Sequence, residues 1–133
     1  MSEANSLPNL YISVVYAGFP GTADDMIETP LDLNEYVVKH PSATYFVRVV
    51  GESMKGVGIM PSDILVVDRS ISPSRGDVVI AAVNGEFAVK RYLPEQGRVV
   101  LRSENPKFRD MIIEGSDEFQ IWGVVTHSLH HLR

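Results

Sequence analysis

The 133-residue chain has no cysteine, which excludes a disulfide framework, a thiol nucleophile and thiolate metal sites together. The same absence fits a reducing compartment such as the cytoplasm. No run approaches 18 consecutive apolar residues, so no membrane-spanning helix is expected. The first residues also lack the basic region and long apolar stretch of a signal peptide. Positive charge is in deficit: 12 Lys and Arg stand against 17 Asp and Glu, a formal charge of -5. That balance argues against direct, specific DNA binding, which needs a basic patch, and leaves any route to DNA to a protein partner. What is abundant is apolar: a 44% hydrophobic share is enough for one ordinary core and argues against wholesale disorder.

Residues 1–30 read as an N-terminal arm, and residues 31–133 as a single β domain. Pro8, Gly18, Pro20, Gly21 and Pro30 punctuate the arm, and Asp24, Asp25 and Glu28 keep its later part solvated. Within it Leu10–Tyr16 is β-prone and could pair with a sheet edge. The stretch 32–39 predicts about two helical turns, capped by Asp32 and stopped by Pro41. From Ala43 onward strand follows strand: 43–50, 64–69, 77–83, 86–92, 98–103 and 119–129. Asn84-Gly85 favours a two-residue type I′ hairpin. Its register sets Val83 opposite Glu86, Ala81 opposite Ala88 and Val79 opposite Lys90. Alternation then places Ala88, Lys90 and Tyr92 on one face, and Phe87, Val89 and Arg91 on the other.

Two residues in this pattern carry chemistry. Ser53 follows a β run in Gly51-Glu52-Ser53-Met54, and Lys90 lies 37 residues on in a mostly apolar strand. A serine hydroxyl needs a base to become nucleophilic, and lysine is a base only when neutral. Burial among apolar neighbours such as Val79 favours the neutral amine, because desolvation penalises the ammonium form. Taken singly, Ser53 reads as a turn residue, Lys90 as a solvated strand lysine, and Ala17-Gly18 as uninformative. Together they offer a nucleophile, a base and a small-residue peptide bond within one chain, as a protease acting on itself would need. His127, His130 and His131 do not share one direction on a strand, so no metal and no other cofactor are expected. Tyr11, Tyr16, Phe19 and Phe46 read as packing residues rather than a base-stacking platform.

The arrangement resembles the self-cleaving domain shared by LexA-type repressors and UmuD-type mutagenesis proteins, over about residues 17–133. The stretches that carry the resemblance are Ala17-Gly18-Phe19-Pro20, Asp32-Leu33-Asn34, 40–47, Gly51-Glu52-Ser53-Met54, 63–68 and the lysine-bearing hairpin 76–90. Gly-x-Ser-Met alone is a weak signal, but joined to that hairpin at the family's serine–lysine spacing it is specific. The resemblance implies a mainly β, LexA/signal-peptidase-like domain of twisted antiparallel sheets, with short helical segments, a helical turn near Ser53 and a mobile N-terminal arm. It implies that Ser53 attacks the Ala17 carbonyl, that Lys90 takes the serine proton and passes it to the Gly18 amine, and that the backbone N–H groups of Ser53 and Glu52 form the oxyanion hole. It further implies a cytoplasmic homodimer, cleavage promoted by a RecA–ssDNA filament, and a UmuC-type Y-family polymerase served by the trimmed product. Ala17 stands where mutagenesis proteins often carry Cys, as it does in the repressors. A LexA-like or phage-type repressor would need a helix-turn-helix domain, which 17 residues before the cut cannot hold. A signal peptidase would need a membrane anchor, and a catalytically silent interaction protein would not need both Ser53 and Lys90.

Overall fold

The computed structural model describes residues 10–13, 17–18 and 29–133. Contacts divide the chain after Val37 into two compact units. In the first, β1 (Tyr11–Ile12) pairs antiparallel with β2 (Thr29–Pro30), and the Leu31 N–H donates to the Leu10 carbonyl at 2.8 Å. Of the β-prone segment at 10–16, Tyr11–Ile12 thus pairs with a local partner of two residues. Its residues 14–16 lie outside the described part, as do Pro8, Phe19, Pro20, Gly21 and the acidic group Asp24, Asp25 and Glu28. Helix α1 spans Leu33–Val37, shorter than the expected 32–39. Asp32 caps it as anticipated: its Oδ1 accepts the Asn34 and Glu35 N–H groups at 3.0 and 3.3 Å. The helix stops early because two β-branched valines and the residue before Pro41 disfavour another turn. The chain enters a 3₁₀ turn at Pro41–Ala43 instead.

The second unit is a seven-stranded antiparallel sheet in the order β3-β4-β9-β5-β6-β7-β8. Its strands are β3 (Thr44–Arg48), β4 (Ile64–Asp68), β5 (Val78–Val83), β6 (Glu86–Glu95), β7 (Arg98–Arg102), β8 (Met111–Ile113) and β9 (Phe119–Leu129). The protein is mainly β, as the alternation predicts. Leu65, Val66 and Val67 of β4 are all fully buried, so this strand is covered on both faces and reads as an unbroken apolar run. Each such side chain contributes about 1.5–3 kcal/mol by leaving water, which makes β4 the spine of the unit. Neighbouring residues of β5 separate onto the two faces. Ile80 joins Val49, Met54, Ile59, Leu65 and Val67 in one cluster, while Val79 joins Ala81, Leu101 and Val124 in the other. Register shifts at Val66/Val67 and Ile80/Ala81 bend and twist the sheet.

The hairpin register read from the sequence holds at every pair, Val79 opposite Lys90 included. Asn84 and Gly85 both have positive φ, 51° and 83°, the type I′ geometry. The Asn84 side chain also ties the turn to the next segment, accepting the Glu118 N–H at 2.9 Å and donating to Asp117 at 3.0 Å. Strand β6 continues three residues past the expected Tyr92. A second two-residue turn explains this: Gln96 (φ 47°) and Gly97 (φ 78°) join β6 to β7 with Glu95 opposite Arg98. Pro94 is tolerated there because β5 pairs only as far as Arg91, so its missing N–H has no ladder to serve. Strand β8, only Met-Ile-Ile, was not expected from the sequence. Phe46 and Tyr11, expected to pack, are more than half exposed. Phe46 lies on the edge strand β3, on the side away from the Tyr45 and Val47 contacts.

Two buried carboxylates bracket β4. Asp63 accepts the Met60 N–H at 2.8 Å, His130 Nδ1 at 2.7 Å and the Ser128 hydroxyl at 3.2 Å. These bonds, the backbone one foremost, hold its carboxyl below the ordinary range. Burial pushes the Asp68 carboxyl up, but the bonds from His40 (2.6 Å) and from the Ser70 hydroxyl and N–H outweigh it and leave it lowered. His130 is therefore docked against the turn before β4, not free on a solvated terminal strand.

Both carboxyls take up protons in the unfolded chain at a higher pH than in the folded one. Their stabilisation is complete above about pH 4–5 and is lost as pH falls through the lower folded values. Acid titration followed by circular dichroism is expected to show that loss below about pH 4, and Asp63→Asn is expected to flatten it. Gly123, opposite Ile80 at the register shift, has no room for a methyl: a Cβ there would sit 2.5 Å from Val67 Cγ1. Gly123→Ala is expected to destabilise the fold by about 1–3 kcal/mol, read as a lowered denaturant midpoint.

Candidate active site

Ser53 sits on a turn that the core holds in place. After β3, Val49 is buried and exchanges backbone hydrogen bonds with Asp63 and Ser62 at 2.8 and 2.9 Å. Val50 then points fully outward at 95% exposure, and Gly51 reverses the chain with φ 97°, a conformation a side chain would strain. Met54, only 2% exposed, plugs into the cluster of Val49, Ile59, Leu65, Val67 and Ile80. The sequence Gly-Glu-Ser-Met thus has a mechanical meaning: glycine makes the turn, methionine anchors it, and the serine between them is half-buried at the rim. A 3₁₀ turn, Lys55–Val57, follows, where the sequence reading expects a helical turn. Glu52 is exposed and pairs with Lys55 at 3.1 Å. Among the described residues no acceptor meets the backbone N–H of Glu52 or Ser53.

Lys90 is placed by the sheet. Val79 lies opposite it on β5, and the β6–β7 register, with Arg91 opposite Arg102, brings Ser103 level with it on the other side. The Lys90 Nζ donates to Ser103 Oγ at 2.5 Å and lies 5.7 Å from the centre of the Phe108 ring. Partial burial among these groups pushes the amine below the ordinary lysine range.

The segment Ser103–Asn105 touches both halves of the site. Ser103 takes the Lys90 amine, the Glu104 carbonyl accepts the Gly56 N–H at 2.6 Å, and Asn105 Nδ2 donates to the Glu52 carbonyl at 2.8 Å. Gly56 permits this approach, since a Cβ there would meet the Glu104 oxygen at 2.5 Å. Among the described residues Lys90 bonds Ser103 rather than Ser53, and Ser53 Oγ makes no hydrogen bond. Ala17 and Gly18 belong to the other unit, where they form an exposed bend with Gly18 at φ 93°. Ser103, Glu104 and Asn105 did not emerge from the sequence. The signal for Ser103 was present in Gln96-Gly97, because a two-residue turn there sets Ser103 level with Lys90.

Among the described residues no group of three His, Asp or Glu could hold a metal, and His40 and His130 are spent on Asp68 and Asp63. No described helix is long and apolar enough to cross a membrane. What the site offers is a serine hydroxyl at the rim of a fixed turn and a half-buried amine held below its ordinary range. A serine hydroxyl can serve acyl transfer as a nucleophile, and a lysine amine can serve it as a base when neutral.

Comparison with known proteins identifies a peptidase-type family. The model of the family described as "Peptidase S24-like" matches residues 9–126. The chain is 46% identical over 129 residues to Protein MucA of Salmonella typhimurium, covering 96% of this chain and 87% of that one. It is 46% identical over 117 residues to Protein SamA of the same organism, covering 88% and 81%. It is also 40% identical over 114 residues to the LexA repressor of Psychromonas ingrahamii, covering 85% of this chain but only 54% of the repressor. The chain belongs to the Peptidase S24-like family, among its UmuD-like members.

Proposed function

We propose that this protein cleaves itself between Ala17 and Gly18, with Ser53 as nucleophile and Lys90 as general base. The observation that carries the reading is the shared support of the two residues: the turn bearing Ser53 and the Lys90 amine are both tied to Ser103–Asn105. Neutral Lys90 takes the proton of Ser53 Oγ as that oxygen attacks the Ala17 carbonyl carbon. The N–H groups of Ser53 and Glu52 receive the negative charge that develops on the carbonyl oxygen. When the C–N bond breaks, Lys90 returns the proton to the Gly18 amine. The resulting Ala17 ester is then hydrolysed by a water from which Lys90 again takes the proton. An alanine before the bond asks for a small pocket, and a glycine after it lets the backbone approach without a Cβ.

Membership among UmuD-like proteins supports a wider role in the SOS response to DNA damage. On this reading a RecA–ssDNA filament promotes the cut. The product beginning at Gly18 acts as a cytoplasmic homodimer that supports a Y-family polymerase in error-prone translesion synthesis. The acidic charge of -5 fits a protein that reaches DNA through such partners and not by itself.

Intact-mass measurement after incubation with RecA, an ATP analogue and single-stranded DNA is expected to give one cut and a product starting Gly18-Phe19-Pro20. Ser53→Ala is expected to abolish the cut without lowering the melting temperature appreciably, since it removes one half-exposed hydroxyl. A different first residue, or cleavage in the folded variant, would overturn the assignment.

Spontaneous cleavage should rise with pH until Lys90 is mostly neutral and then level off, at a midpoint below the ordinary lysine value of about 10.4. Lys90→Arg keeps the charge but has no accessible neutral form, so it should be inactive from about pH 6 to 10.5.

A further inference from the structure

We propose that Ser103 is a positioning residue for Lys90, its hydroxyl fixing the amine relative to the turn that carries Ser53. The proposal rests on the assignment of Lys90 as the base. A lysine side chain is a flexible four-carbon stem ending in a charge that rotates freely. To take a proton from one hydroxyl its nitrogen must be held within hydrogen-bond reach with the lone pair available. Ser103 supplies that restraint. It is only 7% exposed, lies level with Lys90 by the β6–β7 register, and accepts from Nζ at 2.5 Å. Its two successors grip the nucleophile's turn, through the Glu104 carbonyl on Gly56 and the Asn105 side chain on the Glu52 carbonyl. Three consecutive residues therefore set amine and turn in one frame.

The choice of a hydroxyl also matters. A carboxylate at position 103 would hold the amine equally well but would stabilise the ammonium form. Serine restrains it without adding an anion. The carboxylates of Glu104, Glu52, Asp110 and Asp77 are engaged elsewhere. Glu104 pairs with Arg91 at 2.6 Å, Glu52 with Lys55 at 3.1 Å and Arg102 with Asp110 at 2.8 Å. Asp77, at the start of β5, accepts the Ser74 N–H. Desolvation is accordingly the cause of the lowered Lys90 value, with no carboxylate acting against it.

The test is the pH profile of spontaneous self-cleavage in the full chain for wild type, Ser103→Ala, Ser103→Thr and Lys90→Arg. It is paired with an NMR titration of Lys90 in Ser53→Ala and in the Ser53→Ala/Ser103→Ala double variant. Losing the restraint should lower the plateau rate of Ser103→Ala by about ten- to a hundredfold. Because the ammonium donates the stronger hydrogen bond to Oγ, its loss should also move the midpoint to lower pH. The NMR titration of the double variant should move the same way, and Ser103→Thr, which keeps the hydroxyl, should recover both rate and midpoint. A folded Ser103→Ala with wild-type plateau and midpoint overturns the proposal. So does a slower variant whose midpoint and NMR titration stay in place, since a merely structural role would leave both unmoved. If Lys90→Arg is dead while Ser103→Ala behaves as wild type, the positioning role alone fails. If Lys90→Arg cleaves normally, the base assignment fails and this proposal with it.

Discussion

Holding an amine below its ordinary pKa range requires taking it out of water without giving it an anion to pair with. The β5-β6-β7 ladder meets both conditions at Lys90. Val79 opposes it from one side and Ser103 from the other, and Phe108 stands over it. The nearby carboxylates of Glu52 and Glu104 are each paired with a cation of their own, Lys55 and Arg91. Shift the β6 register by one residue and Lys90 would move to the opposite face. The Asn84-Gly85 turn, pinned by Asp117 and Glu118, is what prevents that slip. The electrostatic state of the site therefore depends on a turn at the far end of the hairpin.

The same unit handles its buried acids in the opposite way. Asp63 and Asp68 are also withdrawn from water, but each receives a histidine and further hydrogen bonds that favour the charged form. Asp63 fixes the turn that pairs with Val49, just upstream of the Ser53 loop, and Asp68 ends β4. Ionised structural carboxylates and a lysine held below its ordinary range thus coexist around one sheet. Donors supplied to the carboxylates and an anion withheld from the amine make the difference, since burial alone would push both kinds of group toward neutrality.

Much of this was legible from residues because short-range rules govern it. Alternation identified six of the seven strands of the main sheet, an Asn-Gly pair fixed one hairpin to the residue, and Asp32 announced the helix start. Shortfalls came where local preference is weak. The three-residue β8 has too short a pattern to stand out, and it exists because β7 offers it a partner edge. Gln-Gly is a less emphatic turn than Asn-Gly, so the length of β6 was underestimated. Phe46 reads as a packing residue rather than a base-stacking one, but its parity on an edge strand turns it outward.

By itself the sequence determined the mainly β class, the face on which Lys90 lies and its apolar neighbour Val79, because period-two alternation and a two-residue turn are local properties of the chain. It also marked Gly51-Glu52-Ser53-Met54 as a loop with a serine in it. Only the tertiary structure decided that Met54 is the core plug of that loop, and that Ser103–Asn105 joins it to Lys90. It likewise decided that the nearby carboxylates are already engaged. The contacts that join that loop to the segment beside Lys90 span about 50 positions, as Asn105 to Glu52 does. No local propensity encodes them; they arise when the sheet brings its strands into register around one core.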